Sequence, residues 1–331
     1  MDEQTYDLTT PKKIFSRIGL ALCVILAVSF LVQLLWISIA EWIGGAENWF
    51  VTSSWGIWII SFLPLYAVAI PLGLLIMRKL PAEKPQDQKM RFSEFLTFLA
   101  IGFFVTYAGN LIGTILSLVL SNSNAENPLL DYAMDNNPLK ILVMVVLAPI
   151  LEEYVCRKQI IDRTRRYGEK TAVLLSAMVF GLLHQNFYQF FYAFGVGLVF
   201  AYIYTRTGRV RYTILLHSIY NFIGSVVAPW ILTLLDITGL ETPDPAASME
   251  VLLEQYGGLL IGLLVFVLYA LFLFGMSIFG LVMLINQSKK LTWQESASPL
   301  PKGTAFKTVY GNLGMALYVV ICLVFFVLAL M

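Results

Sequence analysis

Apolar runs long enough to cross a bilayer recur along nearly the whole chain, and most of the charged residues lie between them. A spanning helix needs about 20 mostly apolar residues. Inside lipid every backbone polar group must be satisfied internally, which leaves helices or closed barrels. The runs are continuous rather than alternating, so helices are expected. The candidates are 15–40, 55–77, 93–120, 139–160, 171–186, 188–206, 211–235, 257–285 and 308–330. Only 13% of residues are charged and 58% are hydrophobic, against about 25% charged in soluble domains. The expected fold class is therefore all-α: a polytopic helical membrane protein with about nine transmembrane helices.

The basic residues test that layout. Lys12, Lys13 and Arg17 precede the first run, and Arg78, Lys79, Lys84, Lys89 and Arg91 follow the second. Arg157, Lys158, Arg163, Arg165, Arg166 and Lys170 group around the fourth connection, Arg206, Arg209 and Arg211 around the sixth, and Lys289, Lys290, Lys302 and Lys307 around the eighth. Of all the Lys and Arg, Lys140 alone departs from this alternation. The intervening loops carry acids, among them Glu47, Glu126, Asp131, Asp135 and Asp236. The positive-inside rule then predicts a cytoplasmic N-terminus and an external C-terminus. The first run is too long for a cleavable signal and is read as a retained span.

Three parts are expected: membrane helices over 1–137, a core over 138–235, and two further helices over 236–331. The acidic segment Asp236 to Glu254, with Pro243 and Pro245, reads as a flap. A net charge of +1 offers nothing to nucleic acid. Cys23, Cys156 and Cys322 have no paired spacing and read as small buried hydrophobes. Gly109-x-x-x-Gly113 and Gly258-x-x-x-Gly262 suit close helix packing, by default within the monomer.

Polar groups inside a membrane are costly and usually face the protein interior for a reason. Here they gather in three of the central runs: Glu152-Glu153-x-x-x-Arg157, Phe180-x-x-x-His184 and His217-x-x-x-Asn221. Glu153 and Arg157 are one helical turn apart and can pair. Glu152 points about 100° away from Glu153, which frees it for other work. Pro149 should kink or loosen the helix beside the acids. The three motifs can share a layer near mid-membrane. A carboxylate and imidazoles there can activate water as general acid and base, and Asn221 could donate to a developing oxyanion. His184, His217 and Glu152 also permit a zinc site with one open position, without requiring it. The outcome is hydrolysis of a peptide bond. A transporter, using polar groups such as Gln33 and Asn110, is the rival class, followed by a non-catalytic scaffold.

In this order the three motifs resemble those of the CPBP family, the CAAX-protease and bacteriocin-processing (Abi) intramembrane proteases, which include the type II CAAX prenyl endopeptidases. The resemblance covers 138–235. It implies a membrane endopeptidase, described as metal-dependent, with Glu152 activating water, His184 assisting and Arg157 structural. Glu153 and Phe180 complete the first two motifs, and His217 and Asn221 serve as ligands or oxyanion donors. The implied partners are the lipid bilayer and a peptide or membrane-anchored protein substrate, such as a CAAX-like tail, a bacteriocin or a signal peptide. A non-catalytic bacteriocin-immunity role is the alternative within the family. The expected location is a bacterial plasma membrane.

Overall fold

The computed structural model describes residues 9–235 and 248–331. Pro243, Pro245 and most of the expected acidic flap therefore lie outside the described residues. Among the described residues the ordered elements are all helical. The long ones are α1 (Thr9–Gly44), α2 (Ser54–Met77), α3 (Phe92–Leu120), α4 (141–164), α5 (Glu169–Leu182), α6 (Phe187–Thr207), α7 (Val210–Thr233), α8 (Met249–Ser288) and α9 (Leu313–Leu328).

Each expected run is largely helical, and among the described residues six helices are long and apolar enough to cross a membrane by themselves: α1, α2, α3, α6, α7 and α8. The other three fall short for separate reasons. α4 carries Glu152, Glu153, Arg157, Lys158, Asp162 and Arg163. α5 has 14 residues and α9 has 16. The chain is a multi-pass integral membrane protein, with broad lipid-facing surfaces of exposed Leu, Ile and Phe.

The basic loops meet at one end of the bundle, as their alternation requires. The loop after α2 bonds to the end of α4 through Glu83 N and Asp162 O (2.6 Å), and to the end of α6 through Gln88 N and Thr207 O (2.9 Å). The loop after α8 bonds to the α4–α5 connection through Ser298 N and Arg166 O (2.8 Å). Arg165 also reaches Gln294 (2.8 Å), and Arg206 pairs with Glu169. At the opposite end Asp135 accepts from Ser54 and from Trp58 Nε1 (2.7 Å), which ties α2 to the loop before α4.

Prolines leave a regular signature. Wide-turn π segments occupy Pro64–Ala69, Ile141–Leu147 and Ile223–Val227, just ahead of Pro71, Pro149 and Pro229. A proline has no N–H for the preceding turn and its ring crowds that carbonyl. Widening the helix by one residue relieves the clash. The loosening expected beside Pro149 takes this form, and a fourth π segment, Tyr154–Gln159, follows directly after the acids. Such segments often lie at functional sites.

Packing then sets the site. α6 lies against both α3 and α5, α7 crosses α4, and α1 packs on α2 and α9. Gly109 and Gly113 let α3 close on the backbone of Phe187, Tyr188 and Tyr192, so this small-residue stripe works inside the monomer. α8 is the outlier. Its buried residues are Gly262 and Gly280, which close on Leu234 and Ala100; it packs along α3, and its other residues are half-buried or exposed.

Candidate active site

The three motifs come together on α4, the α5–α6 connection and α7. Glu153 and Arg157 sit on one face of α4, both 0% exposed. Arg157 Nε donates to Glu153 Oε2 at 3.0 Å, and Arg157 Nη2 to Glu153 Oε1 at 3.2 Å. Arg157 Nη1 donates to Ser176 Oγ at 2.8 Å, and that hydroxyl donates to Cys156 O at 2.7 Å. The guanidinium lies over the Phe180 ring, 4.6 Å from its centroid. A buried charge needs this density of partners, because the cost of removing it from water is otherwise unmatched.

Phe180 organises the rest. Both imidazoles meet its ring nearly at right angles, His184 at 5.2 Å and His217 at 5.5 Å between centroids. One aromatic side chain thus separates and orients both rings while its face carries the arginine. His217 Nδ1 lies 3.3 Å from Glu153 Oε1. The carboxylate is an acceptor, so Nδ1 carries the proton in the neutral ring. The other nitrogen, Nε2, lies 3.9 Å from Glu152 Oε2. That gap exceeds a hydrogen bond and suits a bridging water.

His184 is not on a helix. α5 stops at Leu182, and His184 occupies the tight turn before α6. Gln185 takes a positive φ of 59°, and Asn186 caps α6 by accepting from Gln189 N. His184 Nδ1 still reaches Phe180 O, four residues back, at 2.8 Å. A carbonyl accepts, so Nδ1 holds the proton and Nε2 presents a lone pair. α5 and α6 form a tight helical hairpin around Asn186, and the ring's position comes from the turn that forms it.

Glu152 stands apart from this sealed cluster. Its side chain is 24% exposed, and together with His184 it lines a cavity of about 260 Å³. Asn221 does not line that cavity. Its Nδ2 donates to Met144 O at 2.7 Å, in the π segment that leads to Glu152. Nor do the described residues contain a group of three His, Cys, Asp or Glu side chains that could hold a metal ion. The expected set of His184, His217 and Glu152 lies together in one neighbourhood, and each ring has Nδ1 committed, one to Glu153 and one to a backbone carbonyl, which leaves Nε2 as the atom that could bind a metal.

Residues not anticipated from the sequence also contribute. Ser176 anchors Arg157, and its place one turn before Phe180 was the available signal. Tyr66, Ser29 and Ser61 line the cavity from helices that carry no motif. Gln33, expected only as a transport residue, belongs to the same wall.

A family model described as type II CAAX prenyl endopeptidase Rce1-like matches residues 135–223, which contain all three motifs. The protein named "Putative membrane peptidase YdiL" of Bacillus subtilis (strain 168) is 31% identical over 176 residues, covering 50% of this chain and 69% of that protein. The chain belongs to the Rce1-like CAAX protease family. As a member it is a membrane peptidase. The "Membrane-embedded CAAX protease MroQ" of Staphylococcus aureus (strain USA300) is 32% identical over 91 residues, 25% of this chain and 37% of that protein. Both relatives are bacterial, consistent with a bacterial plasma membrane. No solved structure matches the chain significantly.

Proposed function

We propose that the protein is an intramembrane endopeptidase in which Glu152 and His184 activate one water for attack on a peptide bond. The observation that carries this reading is the division of labour between adjacent acids. Glu153 is consumed by Arg157 and His217, whereas Glu152 borders the cavity beside a histidine with a free acceptor nitrogen.

A water there can give one hydrogen bond to Glu152 and the other to His184 Nε2. Glu152 takes a proton as the oxygen attacks the carbonyl carbon, and a tetrahedral oxyanion forms. The protonated Glu152 then delivers that proton to the leaving amine as the C–N bond breaks. This is general-base catalysis followed by general-acid catalysis, at about 10²- to 10⁴-fold per positioned group. His217 Nε2 can exchange a proton with Glu152 through a bridging water, and Glu153 holds that ring in place. In this reading Asn221 is a positioning residue, holding the Met144 carbonyl and with it the register of α4, rather than the oxyanion donor expected from its motif.

The scheme routes no step through a metal; were zinc bound, His184 Nε2, His217 Nε2 and Glu152 would hold it, and it would make the bound water more acidic. The substrate class is a peptide held at the membrane, such as a CAAX-like tail, a bacteriocin or a signal peptide. Purified protein in liposomes should cut such a peptide with EDTA present, and Glu152→Gln should not. Loss of cleavage in EDTA with recovery on adding zinc would overturn the metal-free scheme. Equal cleavage by Glu152→Gln would overturn the assignment of the base. Both results are read by mass spectrometry of the products.

A further inference from the structure

The cavity beside Glu152 is far larger than one hydrolytic water requires. It measures about 260 Å³, whereas a single water needs roughly 10–15 Å³ by the same measure. It approaches the lower end of small-ligand sites, about 300 Å³. Glu152 and His184 lie on one wall. Ile25, Leu26, Leu65 and Ile70 form much of the apolar remainder, and they belong to α1 and α2. These helices lie outside the segment that the family model covers. The Phe30 and Phe325 rings meet edge-on at 5.9 Å and narrow the space between α1 and α9.

Polarity returns at one end. Gln33 Nε2 donates to Ser29 Oγ at 3.3 Å and to Ser61 O at 3.0 Å. Ser61 Oγ pairs in turn with Tyr132 OH at 2.8 Å. These bonds fix the Gln33 amide and use its donor nitrogen. Its Oε1 makes no hydrogen bond among the described residues, although it belongs to the wall of a mostly apolar chamber. That oxygen is not enclosed by the protein but open to the chamber, so an acceptor is available there to an incoming donor. A peptide bound across Glu152 brings one donor per residue, its backbone N–H.

We propose that this cavity is the subsite for the residue flanking the scissile bond. It takes one large apolar side chain between α1 and α2, while Gln33 Oε1 accepts a backbone N–H of the same peptide. The assignment rests on the hydrolytic role of Glu152 proposed above and adds to it a specificity pocket and a positioning residue.

The test uses the full-length protein in liposomes and fluorogenic peptides with Ala or Leu on either side of the cleaved bond. A second pair replaces the neighbouring amide N–H by an ester oxygen. Wild type should cut the Leu peptide at least about 10-fold faster in kcat/KM than the Ala peptide, since even one methylene in a fitted apolar pocket is worth about 10-fold. Leu65→Phe, which fills the pocket, should bring the Leu-to-Ala ratio to one or below. Wild type should lose about 10-fold on the ester, and Gln33→Leu should cut ester and amide at equal rates. Each readout is a ratio within one preparation, so a partly folded variant does not distort it.

A Leu-to-Ala ratio unchanged by Leu65→Phe would overturn the pocket. An amide-to-ester ratio unchanged by Gln33→Leu would overturn the role of Gln33. A rate set by a farnesyl group on the peptide and indifferent to the side chain would overturn both. Cleavage that persists in Glu152→Gln would instead remove the hydrolytic reading on which the assignment stands.

Discussion

The two faces of α4 are built on opposite principles. On the Glu153 face every polar atom is matched: carboxylate to guanidinium, guanidinium to the Ser176 hydroxyl, hydroxyl to a carbonyl, with Phe180 stacked beneath. On the Glu152 face a carboxylate and an imidazole border a cavity, and Gln33 in the same lining leaves an acceptor unused. Adjacent residues of the same type therefore do different work. The lesson is that burial alone does not mark a catalytic acid. A fully paired acid is architecture, and the acid left beside space and a free acceptor is the one that can move a proton.

Breaking the open face should produce the largest functional effect. Glu152→Gln should lower kcat/KM by about 10³-fold, within the range of general acid–base catalysis. It should leave the thermal unfolding midpoint in detergent nearly unchanged, because the side chain's amide analogue occupies the same volume. A comparable loss of stability would show that Glu152 belongs to the sealed network instead.

Breaking the sealed face should do the reverse and act first on folding. Glu153→Ala leaves Arg157 buried without its counter-charge, a cost of about 3–5 kcal/mol. Removing both charges with Glu153→Met and Arg157→Met should recover much of that loss, since an apolar pair of similar volume is often no worse than a buried ion pair. Denaturant or thermal unfolding of wild type, the single variant and the double variant makes the comparison. A double variant as unstable as the single one would mean that the pair is not the source of the cost.

Ser176→Ala sharpens the comparison with a smaller effect. It removes one hydrogen bond to a charged group, about 1.5–3 kcal/mol, without touching the cavity. The Leu-to-Ala preference of the enzyme should stay as in wild type while the unfolding midpoint falls.

The smallest effect is expected at the roof of the open side, outside the membrane. Burial pushes the Asp135 carboxyl up, but hydrogen bonds from Ser54, Trp58 and the Asn137 N–H outweigh it and hold the group below its usual value. A carboxyl lowered on folding contributes stability above its unfolded value, about 3.9. That contribution is lost as the pH falls through the folded value. Trp58 fluorescence should therefore be flat from neutral pH down to about pH 5 and change only in more acidic solution. A transition near neutral pH would contradict this tie.

Much of the architecture was legible in the chain itself. Helix positions followed from apolar runs, and the meeting of alternate loops at one end followed from Lys and Arg placement, because lipid and membrane charge act on sequence directly. The identities of Glu152, Glu153, Arg157, Phe180, His184 and His217 were equally visible, since polar groups stand out where hydrocarbon is the solvent. Three features were not. His184 looked helical but sits in a turn, because α5 ends at Leu182 and a positive φ at Gln185 redirects the backbone. Asn221 shared a helix face with His217, yet the π segment ahead of Pro149 offers it the Met144 carbonyl. Ser176 is an ordinary helix residue until Arg157 reaches it across nineteen positions.

By itself, then, the sequence determined that this chain lives in a bilayer as a set of helices and carries acid and imidazole groups on neighbouring segments. Period, length and charge are local properties that a one-dimensional reading can measure. Spacing also offered Glu153 to Arg157, but tertiary structure alone decided that this pair is sealed while Glu152 borders a cavity. It also brought Gln33, from a motif-free helix, to the cavity that Glu152 borders. Those outcomes depend on how α1, α2, α4 and α7 pack, and packing compares surfaces that lie more than a hundred residues apart along the chain.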